Sequence, residues 1–343
     1  MKKLFVILVA VVTGVAAAMA QEAIAMLKQG TTTKTYTGFK ALQNAYKEAK
    51  NGDLITLSSG TFGAVGTIEK NITIRGAGMQ LDKTYNTQPT IVDGNFTIAV
   101  ATTEGGYVTI EGIYHEGTIY YGNSNVVQKN PRFIKCRLGA FINGTYSDKG
   151  TTYVGVISNA YFLHCKIVDK LSCNSASSMT LINCYVYDPN SLNKTTSSIT
   201  FRNCEVRFTG QSHLYSCRFI SSILNGGGNP YVNDYTSFQR CVLPSSGITI
   251  PVAANSSCWT ITKYEELFKT FKGTYQSTET FELLDDVKKK YVDEYGREVG
   301  INGGTFPFSA RMAGPHIKSM EVGPRSTADG KLNVKMTIVN TGY

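Results

Sequence analysis

Lysine, arginine, tyrosine and glutamate recur at one fixed offset from a repeated cysteine, and any chemistry of this chain has to be sought at that offset. The repeat is a large apolar residue, two variable positions, a cysteine, one variable position and an apolar residue. Its six copies are Phe133–Cys136–Leu138, Phe162–Cys165–Ile167, Leu181–Cys184–Val186, Phe201–Cys204–Val206, Leu214–Cys217–Phe219 and Phe238–Cys241–Leu243. Strand side chains alternate, so an inward cysteine turns the next residue outward. The outward residues are then Tyr114, Arg137, Lys166, Tyr185, Glu205 and Arg218, with Tyr187 and Arg207 two positions further along. Cations neutralise carboxylates and tyrosine rings lie flat on sugar faces, so this basic, aromatic face suits an acidic glycan.

Binding of such a glycan would use Arg137, Lys166, Tyr185, Tyr187, Glu205, Arg207 and Arg218. Cleavage by β-elimination would need a base for the proton beside the sugar carboxylate and a cation for the developing charge. Lys166 or Tyr185 is the candidate base, with Arg137 or Arg207 as partner. Glycoside hydrolysis needs two carboxyl groups flanking one bond, and this face offers chiefly Glu205. No Gly-x-Ser-x-Gly elbow marks a serine hydrolase. No metal site is expected: Cys-x-x-Cys is absent, and the histidines are scattered at His115, His164, His213 and His316.

These residues need a repetitive scaffold. Most cysteine-to-cysteine steps suit one coil of a repeat architecture plus a variable loop. The step of 13 residues from Cys204 to Cys217 is too short, which puts Cys217 on another face or makes the coil irregular. Upstream, Phe39, Leu42, Ala45, Tyr46 and Ala49 share one face of a helix over 39–50, stopped by Asn51-Gly52. Ile55 and Leu57 then alternate with Thr56 and Ser58, and the runs Ile72–Ala77 and Val108–Ile113 place Ala77 and Ile113 in the cysteine slot. The helix, Gly52-Asp53-x-Ile55-x-Leu57-x-x-Gly60-Thr61-Phe62 and Ile72-Thr-Ile74-Arg-Gly-Ala77 together resemble the opening of a right-handed parallel β-helix of the pectate-lyase-like group. That resemblance implies an N-terminal helical cap and rung-on-rung strands with Gly or Asn at a left-handed bend. Gly76, Gly112, Asn183 and Asn203 fit the bend, whereas Lys135, His164, Ser216 and Arg240 occupy it in other copies. Lyases of the group that use calcium cluster aspartates; Asp148, Asp169, Asp188 and Asp234 form no obvious cluster, so calcium enters only with a lyase reading. The run Gly296-Arg-Glu-Val-Gly300-Ile-Asn-Gly-Gly304 resembles the closing segment of many secreted bacterial β-helix proteins.

The expected organisation is a signal peptide at 1–20, a flexible lead-in at 21–38 and a β-helix at 39–260 with its capping helix at 39–50. A C-terminal cap at 261–310 and a β appendage at 311–343 complete it. Lys2 and Lys3, the apolar run Leu4–Val15 and Ala18-Met19-Ala20 form the export signal, cleaved near Ala20, for a periplasmic, cell-surface or extracellular destination. No other stretch approaches a membrane span. Thr262-Lys-Tyr-Glu265 reads as a capping box opening a helix through Phe268. Leu332, Val334, Met336 and Ile338 alternate in the tail, with Asp329-Gly330 as turn chemistry. Removing residues 1–20 takes away two lysines and no acid, so the net charge of +9 falls to +7. That excess suits acidic polysaccharides or other envelope glycans; no basic run supports nucleic acid.

Stacked rungs are about 4.8 Å apart, which permits disulfides between neighbouring cysteines without requiring them. A mostly reduced internal ladder is the expectation, with Cys173 and Cys258 outside it as the candidate oxidised or reactive pair. The reading is an all-β protein: a right-handed, single-stranded parallel β-helix with an N-terminal helical cap and a small C-terminal β appendage. Its expected role is non-catalytic, presenting an elongated surface to glycans or partners without a cofactor. The alternative is a polysaccharide lyase for uronic-acid glycans.

Overall fold

Short strands of β-branched and aromatic residues, many stopped by a left-handed corner, stack here into a parallel β-solenoid. The computed structural model describes residues 22–100, 107–122, 127–148, 151–173, 178–190, 192, 198–210, 213–226, 230–233, 235–246, 255–271, 273, 275–276, 279–312, 314–322 and 334–341. The expected export signal at 1–20 and the expected Asp329-Gly330 turn lie outside the described residues. A first sheet runs through Leu54–Leu57, Thr73–Arg75, Thr109–Glu111, Arg132–Ile134, Ala160–Leu163, Ser178–Ile182, Ser198–Arg202, Cys217–Ile220, Ser237–Gln239 and Asn255–Ser256. A second runs through Gly60–Gly63, Thr90–Asp93, Tyr114–Tyr121, Arg137–Asn143, Lys166–Ser172, Tyr185–Tyr187, Glu205–Phe208, Ile223–Gly226, Val242–Pro244 and Trp259–Ile261. Two-residue pairs such as His213–Leu214 with Tyr231–Val232 mark the remaining side. Phe133, Phe162, Leu181, Phe201, Phe219 and Phe238 fall in one register and fill the core.

That register corrects one copy of the repeat. Phe219, not Leu214, aligns with Phe201, so the copy is Phe219–Ser222–Leu224 and the anomalous step disappears. Ser222 occupies the ladder slot, and Cys217 points inward at the other end of its strand, at a second corner with Thr236. Cys258 joins the ladder after Cys241, whose amide donates to its Sγ at 3.3 Å. Cys173 instead packs against Met179, so the expected Cys173–Cys258 pair does not form; all eight cysteines are free thiols.

The slot is more than a place for a small apolar group. Cys184 Sγ donates to the carbonyls of Ile182 at 3.2 Å and Phe162 at 3.6 Å, and Cys204 Sγ to Arg202 at 3.3 Å and Leu181 at 3.4 Å. Ser222 Oγ makes the same pair of bonds, to Ile220 at 3.0 Å and Phe201 at 3.3 Å. Each ladder side chain thus satisfies carbonyls left over where the chain turns from one sheet to the next. The preceding residue is left-handed in every copy from Gly112 onward, with φ of 52° at Lys135, 53° at His164 and 49° at Arg240. Gly76 does not share that conformation.

Both ends differ from the sequence reading. The lead-in is an ordered hairpin, Ile24–Gln29 with Thr32–Thr37, antiparallel to Leu54–Leu57, because Ala23, Ala25 and Leu27 alternate and bury one face. The capping helix spans Ala41–Glu48 and buries Ala41, Leu42 and Ala45, while Phe39 stays exposed. The capping box does not form; Tyr264–Leu267 is a single 3-10 turn flanked by Lys263. The tail is a hairpin of Gly314–Val322 with Val334–Thr341. Among the described residues no helix is long and apolar enough to cross a membrane.

Residues 261–312 do not plug the open end of the stack. They fold back as a strap along the second sheet and the left-handed corners. Tyr264, Phe268, Phe281, Val299 and Ile301 bury a second core against Tyr185, Ile223 and Val242. The strap then runs back along the corners. Gly300 N donates to Ser221 O at 2.8 Å, and Asn183 Nδ2 donates to Ile301 O at 2.7 Å and Gly303 O at 2.8 Å. His164 Nε2 donates to Phe306 O at 3.1 Å, and Lys135 Nζ to Arg311 O. Lys135 and His164 stand where Gly or Asn was expected, and both use the corner to hold the strap. Gly300 is required: its φ is 84°, and a Cβ there would lie 2.5 Å from Glu205 Oε1.

Candidate functional site

The nominated column exists, and it is covered. Tyr114, Arg137, Lys166, Tyr185 and Glu205 are cross-strand neighbours in that order, as alternation predicts, and Tyr187 pairs with Arg207. Ile223, not Arg218, follows Glu205. The strap lies over this face, so Lys166 and Tyr185 are each 1% exposed and Glu205 is 0% exposed. The expectation that they meet solvent is therefore corrected. Tyr185 is stacked between Tyr275 at 4.8 Å and Phe281 at 4.7 Å. Lys166 Nζ donates to Glu279 O at 2.8 Å and Gln80 Oε1 at 3.3 Å, and burial lowers its pKa to about 8. Arg207 Nη1 donates to Gly273 O at 2.7 Å, and the Arg137 guanidinium sits 4.0 Å over Tyr114. A lowered lysine pKa suits a base, yet the strap encloses this one.

Glu205 is a stability element. Tyr264 Oη donates to its Oε2 at 3.0 Å. Burial pushes the carboxyl well above its ordinary 4.5, against the opposing pull of hydrogen bonds from Tyr264 and the Ile301 backbone. A carboxyl that holds its proton more tightly when folded stabilises the fold fully below pH ~4.5, and that contribution is lost as pH rises toward the folded value. Glu205→Gln keeps an acceptor for Tyr264 and removes the titration. Thermal melts are therefore predicted to show the variant more stable than wild type at about pH 8, and within about 1 kcal/mol of it near pH 4. Equal melting temperatures at both pH values would contradict this. Lys166 acts in a separate window: stability rises with pH between its folded value of about 8 and its ordinary 10.5.

The strap builds a site beside the face it covers. Between it and the outward side of the first sheet lies a cleft of about 270 Å³. Arg202 and Arg218 reach it from adjacent strands, outward because Phe201 and Phe219 point in; Arg240 reaches it from a left-handed corner. None of these three guanidinium groups has a hydrogen-bond or ion-pair partner among the described residues. The fourth arginine, Arg297, is held by Asp293 at 2.8 Å and by Thr305 at 2.6 Å. Among the described residues Asp293 and Glu294 are the only carboxylates lining the cleft, so its balance is basic. Asn203, 5% exposed, lines it with a buried Nδ2 that lacks an acceptor. Tyr295 and Phe306 stand on the rim at 73% and 68% exposure, unlike the packed aromatics elsewhere in the strap.

Planar guanidinium forks bind carboxylates and sulfates bidentately, and exposed rings supply a flat apolar surface. The cleft is chemically equipped to hold an anionic group attached to a ring. Of the nominated residues only Arg218 belongs to it. Arg202, Arg240, Asn203, Tyr295 and Phe306 were missed, because the strap that completes the site carries no repeat that would register it on the coils. Arginine before a corner, where Gly or Asn is expected, was the available signal. Among the described residues no group of three or more His, Cys, Asp or Glu side chains is placed to hold a metal ion. Comparison of the chain with protein-family models, curated proteins and solved structures found no match, so function has to be argued from the cleft's own chemistry.

Proposed function

We propose that this is an exported, non-catalytic glycan-binding protein whose cleft receives the carboxylates of an acidic polysaccharide. Three arginines without carboxylate partners, converging beside exposed Tyr295 and Phe306, carry this reading. A simple phosphate site would not need the aromatic rim, and a protein-binding patch would not need an orphaned amide at its floor. The export signal and the excess of basic residues support an envelope or extracellular partner of opposite charge. Kinship with the pectate-lyase-like group belongs to the same proposal, supported by the parallel coils and left-handed corners. The lyase alternative has lost access to its named bases, since Lys166 and Tyr185 are enclosed by the strap.

Affinity electrophoresis in gels containing polygalacturonate tests the reading. Wild-type protein is expected to be retarded, less so as salt rises, and not retarded in a neutral glucan gel. Charge-assisted hydrogen bonds contribute about 1.5–3 kcal/mol each, so Arg202→Ala, Arg218→Ala and Arg240→Ala should each weaken binding roughly tenfold or more. Their melting temperatures should hardly move, because Arg202 and Arg218 are exposed, Arg240 is only half-buried, and no side-chain bond within the fold is lost. Equal mobility with and without uronic-acid polymer would remove the proposal. Unsaturated-product absorbance in the same mixtures would revive the lyase.

A further inference from the structure

The outward side of the first sheet continues from the arginine cleft to a second one. Arg132, Tyr161, Thr180, Thr200 and Arg218 are successive cross-strand neighbours, one per rung. At about 4.8 Å per rung, Arg132 and Arg218 start about 19 Å apart. Around Arg132 lies a cleft of about 450 Å³ lined by Asn130, Asn159, Tyr161, Ser178 and Thr180. The Arg132 guanidinium sits 4.2 Å over the ring of Tyr107, which is 41% exposed. Arg132 has no carboxylate partner among the described residues. The nearest carboxylate upstream, Glu111, is held by Arg75 at 2.6 Å. From Ser178 and Thr180 in the second cleft the outward positions continue through Ser198 and Thr200 to the arginine cleft, with Leu163 and Ile182 toward the corner. No outward position of these strands from Arg132 to Arg218 carries an acid. Asn159 and Ser178 bond each other at 2.6 Å, which fixes the polar wall of the second cleft.

The geometry points to a second subsite at Arg132, Tyr107 and Tyr161, occupied by the same linear acidic polysaccharide chain that enters the arginine cleft, lying along the solenoid axis. This rests on the proposed function and adds to it a minimum chain length and a direction. Arginine–aromatic pairs at both ends hold charged sugar units, and the hydroxyl-lined, acid-free track between them passes uncontacted units without repulsion. Once one end is bound, the other subsite sees a high local concentration of the chain, so long chains gain affinity that short ones do not.

Isothermal titration with a size-graded series of oligogalacturonides tests this. Affinity is expected to rise at least about tenfold once a chain spans both subsites. Arg132→Ala and Tyr161→Ala should remove that step while leaving the affinity of the shortest binding oligomers unchanged. Arg218→Ala should weaken oligomers of every length. A smooth length dependence, or a step that survives Arg132→Ala, would overturn the second subsite while the arginine cleft stands. Absence of binding at every length would overturn both. Melting temperatures of the variants separate lost contacts from lost folding.

Discussion

Cys184→Asp is expected to yield no folded protein, whereas Cys184→Ser folds with a loss of no more than about 2 kcal/mol. The two substitutions differ by what the ladder slot can satisfy. Cys184 is fully buried between Cys165 and Cys204, and burial pushes its thiol well above its ordinary pKa. The slot offers two carbonyl oxygens, from Ile182 and Phe162, and therefore asks for a donor. Serine supplies one, as Ser222 already does one coil beyond Cys204. An ionised aspartate supplies none and cannot be solvated. Even after taking up a proton it has lost several kcal/mol, against a total stability of ~5–15 kcal/mol for a typical domain. Far-UV circular dichroism and yield of soluble protein distinguish the variants. A native spectrum and melt for Cys184→Asp would contradict the buried ladder.

Deleting the chain from residue 261 onward is the second large effect. The strap buries Tyr264, Leu267, Phe268, Phe271, Phe281, Leu283, Val299 and Ile301, each contributing about 1.5–3 kcal/mol as an upper estimate. The deletion would also leave Tyr185 and Ile223 bare on an exposed sheet face, together with Glu205, whose partner Tyr264 is gone. Aggregation, or a non-cooperative thermal transition, is the predicted outcome by light scattering and calorimetry. A soluble, cooperatively melting solenoid would show that the strap is a removable lid. Activity on uronic-acid polymer appearing in that form would mark the covered face as the working one.

The strap also shows where sequence reading stops. The core column was legible because strand period and coil length repeat: the Phe and Cys positions, the left-handed residue before each ladder cysteine, and the order Arg137, Lys166, Tyr185, Glu205 all follow from it. The misplaced copy at Cys217 came from treating cysteine as the marker. From Cys136 onward the slot takes a small donor side chain, so Ser222 serves it as cysteine does, and Phe219 carries the register. The covering of Lys166 was not legible, since its contact with Glu279 joins residues 113 positions apart without any repeat linking them. The lead-in hairpin was missed for a local reason: Ala23, Ala25 and Leu27 make a sparse alternation beside polar Thr32–Thr37. The arginine cleft combines both difficulties. Its arginines lie on coils, its aromatics on the strap, and the contact between them exists only in three dimensions.

The most direct test of the cleft is hydrogen exchange with and without saturating oligogalacturonide. The account predicts slowed exchange in residues 293–306 of the strap and in Ser198–Arg202, Cys217–Ile220 and Ser237–Gln239, with little change around Tyr185 and Lys166. Protection confined to another face of the solenoid, or none despite measured binding, would contradict it.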